Sequence, residues 1–209
     1  MAIVTIYGMT QSGKSYFAEK NFLNDKKRQI IIDFSRCFKG VNTYVVKTPK
    51  DIKRIFDKYK KKDSYKIILR SERNANNVLI ADMIISLASA LGRMFGSFNP
   101  NERVWLVVDE ADNIVTSRSQ SRRVKHLVNC GRHDNVDSVF IARNPNRLHT
   151  DIRANASQVF TFKLSTAPEI KTFMNNFGRE NCKKITTLEK FHYFYWDDTG
   201  LVKIEKSKK

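Results

Sequence analysis

The chain has 209 residues, and its 38 lysines and arginines outnumber its 21 aspartates and glutamates, so the formal net charge is +17. Hydrophobic residues make up 41% of the sequence and aromatic residues 11%, which excludes a disordered basic tail and predicts one folded domain over residues 1–209. The positive charge predicts a polyanionic partner. Nucleic acid is the simplest such partner, and an anionic membrane surface is the alternative.

The cysteines and the apolar stretches exclude further classes. The three cysteines are widely spaced and form no Cys/His cluster, which excludes a disulfide framework and a zinc site of the usual spacing and fits a reduced, cytosolic-type compartment. The longest apolar stretch, residues 78–95, contains Asp82 and Arg93, and we expect it to be too interrupted to span a bilayer. The sequence starts without a basic leader, so secretion is not expected.

Segments typical of strands and helices alternate along the chain. The patterns predict strands at 2–7, 29–33, 42–47, 65–70, 104–108, 138–142 and 158–164, and helices at 15–23, 48–61, 76–95, 124–128 and 168–177. Residues 191–196 and 201–205 predict a terminal hairpin. This alternation predicts an α/β fold with a mainly parallel sheet, in which functional residues lie at the carboxyl ends of strands.

The first such end carries a phosphate-loop motif. Residues 8–15 match G-x-x-x-x-G-K-[ST] between a predicted strand and a predicted helix, and a chance glycine-rich turn is the alternative. Backbone N–H groups must converge on phosphate oxygens, so glycines are needed where side chains would obstruct them. We expect Lys14 to reach the β- and γ-phosphates of ATP and Ser15 to ligate Mg²⁺. The predicted nucleotide-binding residues are Gly8, Met9, Thr10, Gln11, Ser12, Gly13, Lys14, Ser15 and Tyr16.

An acidic pair follows the strand at 104–108. In a phosphate-loop protein, an aspartate at this place holds Mg²⁺ through water, which we expect of Asp109. The adjacent Glu110 can polarise the attacking water as a general base. The alternative is an acidic start to the next loop. The glutamate favours ATP hydrolysis over phosphoryl transfer to a small acceptor.

Two arginines flank the strand at 138–142. Arg132 precedes it and Arg143 follows it, and we expect both at the sheet edge that carries the phosphate loop. A guanidinium there could stabilise charge on the γ-phosphate, in its own subunit or in a neighbouring one. The alternative for Arg132 is a solvated loop residue. The neighbouring His133 has no Cys or His partners at ligand spacing, which excludes a metal role.

A basic stretch lies between the acidic pair and Arg132. It can be a mobile loop that touches DNA phosphates or a solvated loop, and its basic residues are Arg118, Arg122, Arg123 and Lys125. The lysine-rich run at 58–62 is typical of a solvated helix end.

The order of these motifs resembles the HerA–FtsK superfamily of DNA-pumping ATPases, and within it the small genome-packaging ATPases of internal-membrane phages and other double-jelly-roll DNA viruses. The motifs are the phosphate loop, QIIIDFSR, VWLVVDEAD, GRH, IARNP and ANASQVFTF, and they span nearly the full chain. The resemblance implies a RecA-like P-loop (ASCE) three-layer sandwich. It makes Arg132 the candidate arginine finger. Arg143 replaces the usual sensor glutamine, as another kind of sensor or a second finger, and Asp33 is structural or close to the nucleotide.

The resemblance therefore implies a motor that hydrolyses MgATP and pumps double-stranded DNA into a capsid. It implies a homo-oligomeric ring, expected to be a hexamer, that meets capsid-vertex or portal-type viral proteins in the host cytoplasm or at the packaging vertex of the virion. One alternative is a nucleoside or nucleotide kinase, which the acidic run at 109–112 disfavours. A second is an assembly ATPase related to the zonula-occludens-toxin-like proteins of filamentous phages, which usually carry a membrane segment. A third, a basic DNA-binding structural protein, is disfavoured by Lys14 and Glu110.

Overall fold

The computed structural model describes residues 2–72, 76–97, 99, 102–115, 120–200 and 202–207. The strands in these ranges are β1 (Ile3–Tyr7), β2 (Arg28–Ile32), β3 (Thr43–Val46), β4 (Tyr65–Ser71), β5 (Val104–Val108), β6 (Val136–Ala142), β7 (Gln158–Thr161), β8 (His192–Asp197) and β9 (Val202–Lys206). The α-helices are α1 (Lys14–Ala18), α2 (Pro49–Tyr59), α3 (Asn77–Gly96), α4 (Arg122–Cys130), α5 (Thr150–Ala154), α6 (Ala167–Phe177) and α7 (Arg179–Thr186), and a π-helical turn (Glu19–Leu23) continues α1.

All nine strands belong to one sheet, in the order β3-β4-β2-β5-β6-β1-β7-β8-β9. The pairs from β3 to β7 are parallel, and the pairs β7–β8 and β8–β9 are antiparallel. Strands β1, β2 and β6 are buried along their whole length, and β5 is buried except at Trp105, because both faces of these strands are covered. The predicted α/β fold with a mainly parallel sheet and a C-terminal hairpin is confirmed.

Helices cover both faces of the sheet and complete the three layers. On one face, Phe17 of α1 packs in an aromatic cluster, with its ring centroid 4.9 Å from that of Phe160 and 4.7 Å from that of Tyr193. On the other face, apolar side chains of α2, α3, α4 and α5 form the larger core with the alternate residues of the strands. Helices α6 and α7 pack in a third cluster around Phe173 and Phe194. Burial of these apolar side chains is the main stabilising term for the fold.

Helix α2 begins where its sequence predicts. Thr48 and Asp51 form a capping box, with Pro49 at the first helical position.

Differences from the predictions are largest near β6 and β7. Strand β6 begins at Val136, before its predicted start, and β7 ends at Thr161, before its predicted end. Helices α5 and α7 were not predicted, because α5 has only five residues and the apolar residues of α7 are few.

Among the described residues, one helix, α3, is long and apolar enough by length and composition to cross a membrane. The mean hydropathy of its 18-residue window is 1.7, although 56% of that window is buried in the fold. The charged residues within it are partnered, because Ser121 donates to the carboxylate of Asp82 and Arg93 Nη1 lies 2.7 Å from Asp134 Oδ1. Packing against the sheet, α2 and α4 accounts for the apolar face, which is the arrangement of a core helix.

Candidate active site

The turn between β1 and α1 has the tight backbone that a phosphate loop needs. Gly8 has a φ of 146° and Gly13, the N-cap of α1, has a φ of 95°. A Cβ atom on Gly8 would lie 2.7 Å from Cβ of Phe162, a distance that real Cβ contacts do not reach. The loop can therefore close against the residue after β7 only because position 8 is glycine.

The cationic group of this loop bonds only to the loop's own backbone, and one hydroxyl of the loop has no partner among the described residues. Lys14 Nζ donates hydrogen bonds of 2.7 Å to the carbonyl oxygens of Gly8 and Met9, so the ammonium lies over the loop itself. Burial lowers the pKa of Lys14, and the negative charge of Asp109 opposes this. Ser12 Oγ is buried and has no hydrogen-bond partner among the described residues. The loop therefore fits an anion, which would pair with the ammonium and the orphaned hydroxyl.

Asp109 follows β5 and faces the start of α1. Its residue is only 2% exposed, and one carboxylate oxygen lies 3.4 Å from Ser15 Oγ. Burial raises the pKa of Asp109, while a hydrogen bond donated by Ser35 to its other carboxylate oxygen opposes the rise. Carboxylate and hydroxyl oxygens are ligands that Mg²⁺ accepts, so this pair fits the predicted metal site.

Ser35 is a site residue that the sequence analysis missed. It follows β2, which lies beside β5 in the sheet, and this neighbourhood brings its hydroxyl to Asp109. The only available signal was a polar residue directly after a buried strand, in the segment QIIIDFSR. Asp33 in the same segment has a structural position. Arg70 Nε and Nη2 donate to its carboxylate at 2.9 and 2.8 Å.

Glu110 and Arg143 come together at the same edge. Glu110 has a left-handed backbone, with φ 49° and ψ 48°, and its carboxylate accepts a 3.0 Å hydrogen bond from Asn113. Arg143 follows β6, the neighbour of β5, and its guanidinium forms an ion pair with Glu110. The expectation that Arg143 lies at the phosphate-loop edge is correct.

The corresponding expectation for Arg132 is wrong. Strand β6 runs parallel to β1, so that Ala142 pairs with Tyr7 at the phosphate-loop edge, whereas the start of β6 pairs with Val104 at the opposite edge. Arg132 precedes β6 and therefore lies at the amino edge of the sheet, with an exposed side chain. A strand of this length spans about 20 Å, so Arg132 is remote from the site in its own subunit.

Of the predicted residues not yet placed, Thr10 and Gln11 are exposed in the phosphate loop, and the other described ones are on helices. Arg122, Arg123 and Lys125 are exposed in the first turns of α4, and Arg118 lies outside the described residues. Tyr16, in the first turn of α1, is 53% exposed. These side chains surround the carboxyl edge of the sheet, because both helices begin there.

A phosphate loop between a parallel strand and a helix, with an acidic pair at the end of another parallel strand, defines the class of P-loop NTPases. Solved structures share this fold over the whole chain. The genome packaging NTPase B204 of Sulfolobus turreted icosahedral virus 2, in complex with AMPPCP, has a TM-score of 0.78 at 19% identity, covering 100% of this chain and 98% of that one. The bacterial conjugative coupling protein TrwB has a TM-score of 0.63 at 9% identity, with coverage of 98% and 85%.

The chain belongs to the zonular occludens toxin (Zot) family, whose model matches residues 2–187. No curated protein matches the chain significantly. The predicted P-loop fold is confirmed, and the family match and the solved structures are consistent with the predicted resemblance to ATPases of the HerA–FtsK type. The sequence motifs indicated zonula-occludens-toxin-like proteins only as an alternative to the packaging ATPases, and the match shows this family.

Proposed function

We propose that the protein hydrolyses MgATP at this site and uses the energy to move double-stranded DNA, as a viral genome-packaging motor. The observation that carries the proposal is the convergence of phosphate-binding, metal-binding and acid–base groups at one edge of the sheet. These groups are Lys14, Ser15, Asp109, Glu110 and Arg143. The full-length structural similarity to a packaging NTPase that was solved with ATP analogues supports the same function.

Each group has a distinct role in the proposed reaction. The loop backbone and Lys14 hold the β- and γ-phosphates, and Ser15 and Asp109 hold Mg²⁺, which neutralises phosphate charge when bound. Glu110 accepts the proton of the attacking water. Before nucleotide binds, Arg143 occupies the Glu110 carboxylate. A γ-phosphate competes for that guanidinium and leaves Glu110 free to act as the base, so we assign Arg143 as the γ-phosphate sensor.

A part for Arg132 in hydrolysis requires a neighbouring subunit. An exposed arginine at the amino edge is too far from its own phosphate loop to act there. In a homo-oligomeric ring, which we propose to be a hexamer, it would meet the γ-phosphate of the neighbouring subunit as an arginine finger.

Basic charge supports DNA as the partner. The chain carries a net charge of +17, and two arginines occupy the first turn of α4. Cations are unfavourable at a helix N-terminus, so Arg122 and Arg123 do not serve the stability of α4. At this position they can contact DNA phosphates. As further partners we propose capsid-vertex or portal-type proteins, which the motor would meet in the host cytoplasm or at the packaging vertex.

A second candidate is an ATPase of filamentous-phage assembly, and the match to the Zot family favours it. It uses the same nucleotide site and differs in what the motor moves and where it acts. A small-molecule kinase has less support, because Glu110 stands where hydrolysis needs a base.

The test is ATP turnover of the full chain with duplex DNA, with single-stranded DNA and without DNA, beside the oligomer size in each state. We expect duplex DNA to stimulate turnover and nucleotide to promote a ring, with Lys14→Ala as the inactive control. Stimulation by single strands alone would favour the assembly ATPase. Phosphoryl transfer to a nucleoside, without DNA stimulation, would contradict both candidates.

A further inference from the structure

Two cavities flank the phosphate loop, one on each side of β1. Strand β1 lies between β6 and β7. On the β6 side is the cleft that contains Asp109, Glu110 and Arg143. On the β7 side is a second cavity of about 330 Å³, between the outer part of the loop, the residues after β7 and the turn before β8. The proposed function uses only the first cavity.

The direction of a bound nucleotide connects the two cavities. A nucleoside triphosphate whose terminal phosphate faces Glu110 crosses the loop with its other phosphates, and its base then leaves on the β7 side. We propose that the second cavity binds the nucleobase and that the ring of Phe191 is the surface on which the base stacks. This inference rests on the proposed function, because it takes the phosphates to lie in the loop.

Phe191 is held beside the loop in an unusual conformation. Its φ is 66°, in the left-handed region that a residue with a bulky side chain rarely adopts. The backbone there is fixed, because Ser207 N donates to the Phe191 carbonyl at 2.8 Å and His192 N donates to the Glu189 carbonyl at 3.1 Å. A Cβ atom built on Gly13 would lie 3.1 Å from Phe191 Cδ1, so the ring reaches the residue before Lys14.

The conformation of Phe191 does not serve the core. The residue is 37% exposed, whereas the aromatic side chains of the same hairpin that pack on α1 and α6, Tyr193 and Phe194, are 7% and 0% exposed. Strain that yields no burial is typical of a functional position. An aromatic ring that borders a cavity beside a phosphate site fits a nucleobase, which presents an aromatic face at a fixed distance from its phosphates.

Stacking also predicts the selectivity of the site. Every base has a π-face, so stacking on a ring tolerates different bases. We therefore expect ATP and GTP analogues to bind with similar affinity. Loss of the ring is expected to weaken binding by about 5- to 150-fold, the usual effect of removing one aromatic platform.

The experiment measures dissociation constants of the full chain, with Mg²⁺, for AMPPCP, for the matching GTP analogue and for inorganic tripolyphosphate, which has no base. Phe191→Ala removes the ring, Phe191→Leu keeps an apolar contact with Gly13 without an aromatic face, and Phe191→Tyr keeps the ring. We expect the alanine and leucine variants to lose affinity for both nucleotides but not for tripolyphosphate. The tyrosine variant should bind like the wild type.

Three outcomes would overturn the inference. In the first, Phe191→Ala weakens tripolyphosphate as much as AMPPCP, so that the ring only supports the loop. In the second, Phe191→Ala changes nothing and Tyr16→Ala weakens AMPPCP alone, so that the base lies at α1. In the third, the wild type binds neither AMPPCP nor tripolyphosphate, and then the proposed function fails together with the inference.

Discussion

The carboxyl and amino edges of the sheet differ in the backbone conformation of their residues. Among the described residues, five that are not glycine have a positive φ. Four of these five lie at the carboxyl edge around the phosphate loop: Gln11, Arg36, Glu110 and Phe191. The fifth, Asn135, lies at the amino edge. Strained backbone persists only where the surrounding structure enforces it, and it concentrates at functional sites.

The charged groups at the two edges also differ in the partners that they have within the fold. At the amino edge, the buried Asp134 lies 2.7 Å from Arg93 Nη1 and 2.9 Å from His126 Nε2, and the backbone N–H of Ala2 donates to Asp137 at 2.7 Å. At the carboxyl edge, Arg143 and Arg70 pair with Glu110 and Asp33, but Lys14 donates only to carbonyl oxygens of its own loop and Asp109 contacts hydroxyl groups. The amino edge is built for stability, whereas the carboxyl edge holds charges that a ligand can neutralise.

The largest expected effect comes from Arg132, and it would show that the amino edge takes part in catalysis as well as in stability. Arg132→Ala should lower ATP turnover about 10³-fold or more while leaving nucleotide binding nearly unchanged, since an arginine finger acts on charge that develops in the transition state. Turnover and nucleotide affinity are measured on the same preparation.

Mixed oligomers separate action between subunits from action within one subunit. Arg132→Ala subunits keep a sound phosphate loop, and Lys14→Ala subunits keep a sound arginine. Each variant alone should be inactive, and mixtures should recover part of the activity at interfaces that combine the intact halves. Full activity of Arg132→Ala alone would move the finger elsewhere, with Arg143 as the next candidate.

The next effect sharpens the functional side of the comparison. Glu110→Gln should bind MgATP but hydrolyse it more slowly, by about 10²-fold or more, because the amide cannot accept the proton of water. Lys14→Ala should lose nucleotide affinity as well. Single-turnover hydrolysis with bound nucleotide measures the step directly. Wild-type turnover in Glu110→Gln would mean that another residue activates the water.

A pair of matched substitutions tests the comparison through stability. Burial alone would raise the pKa of Asp134, but hydrogen bonds from Ser89 and Arg93 outweigh it and hold the pKa below its ordinary value. Its charge therefore stabilises the fold above the unfolded pKa, and this stabilisation is lost as the pH falls through the lower folded value. Asp134→Asn should cost about 1 kcal/mol or more at pH 7.

Asp109→Asn should have the opposite sign in the absence of nucleotide. Burial raises the pKa of Asp109, so its charge costs stability at neutral pH, and this cost disappears below the unfolded pKa. Thermal unfolding of both variants from pH 7 to pH 3 measures the two effects. We expect both differences from the wild type to shrink as the pH falls. A loss of stability in Asp109→Asn at pH 7 would contradict the contrast between the edges.

The smallest expected effect concerns DNA. Neutralising Arg118, Arg122 and Arg123 together should lower the dependence of log affinity on log salt concentration by up to about 3, since each phosphate contact contributes about 0.9. It should also uncouple ATP turnover from DNA. The matched control changes Lys60, Lys61 and Lys62 to glutamine at the end of α2. If the control alone changes the salt dependence, DNA binds at α2.

The sequence by itself determined the local parts of this protein. The glycines and the lysine of the phosphate loop, the capping box of α2 and the acidic pair after β5 each lie within a few consecutive residues, so their spacing alone predicts the local structure. The alternation of apolar strands and amphipathic helices predicted the mainly parallel sheet for the same reason.

Tertiary structure decided which local parts meet. Ser35 contacts Asp109, 74 residues away, only because β2 and β5 are neighbours in the sheet. Phe191 reaches the phosphate loop because β8 runs antiparallel to β7 and starts at the carboxyl edge. Arg132 lies at the amino edge because β6 is parallel to β1. Strand order and direction follow from long-range pairing and burial, which the residues around each position do not encode.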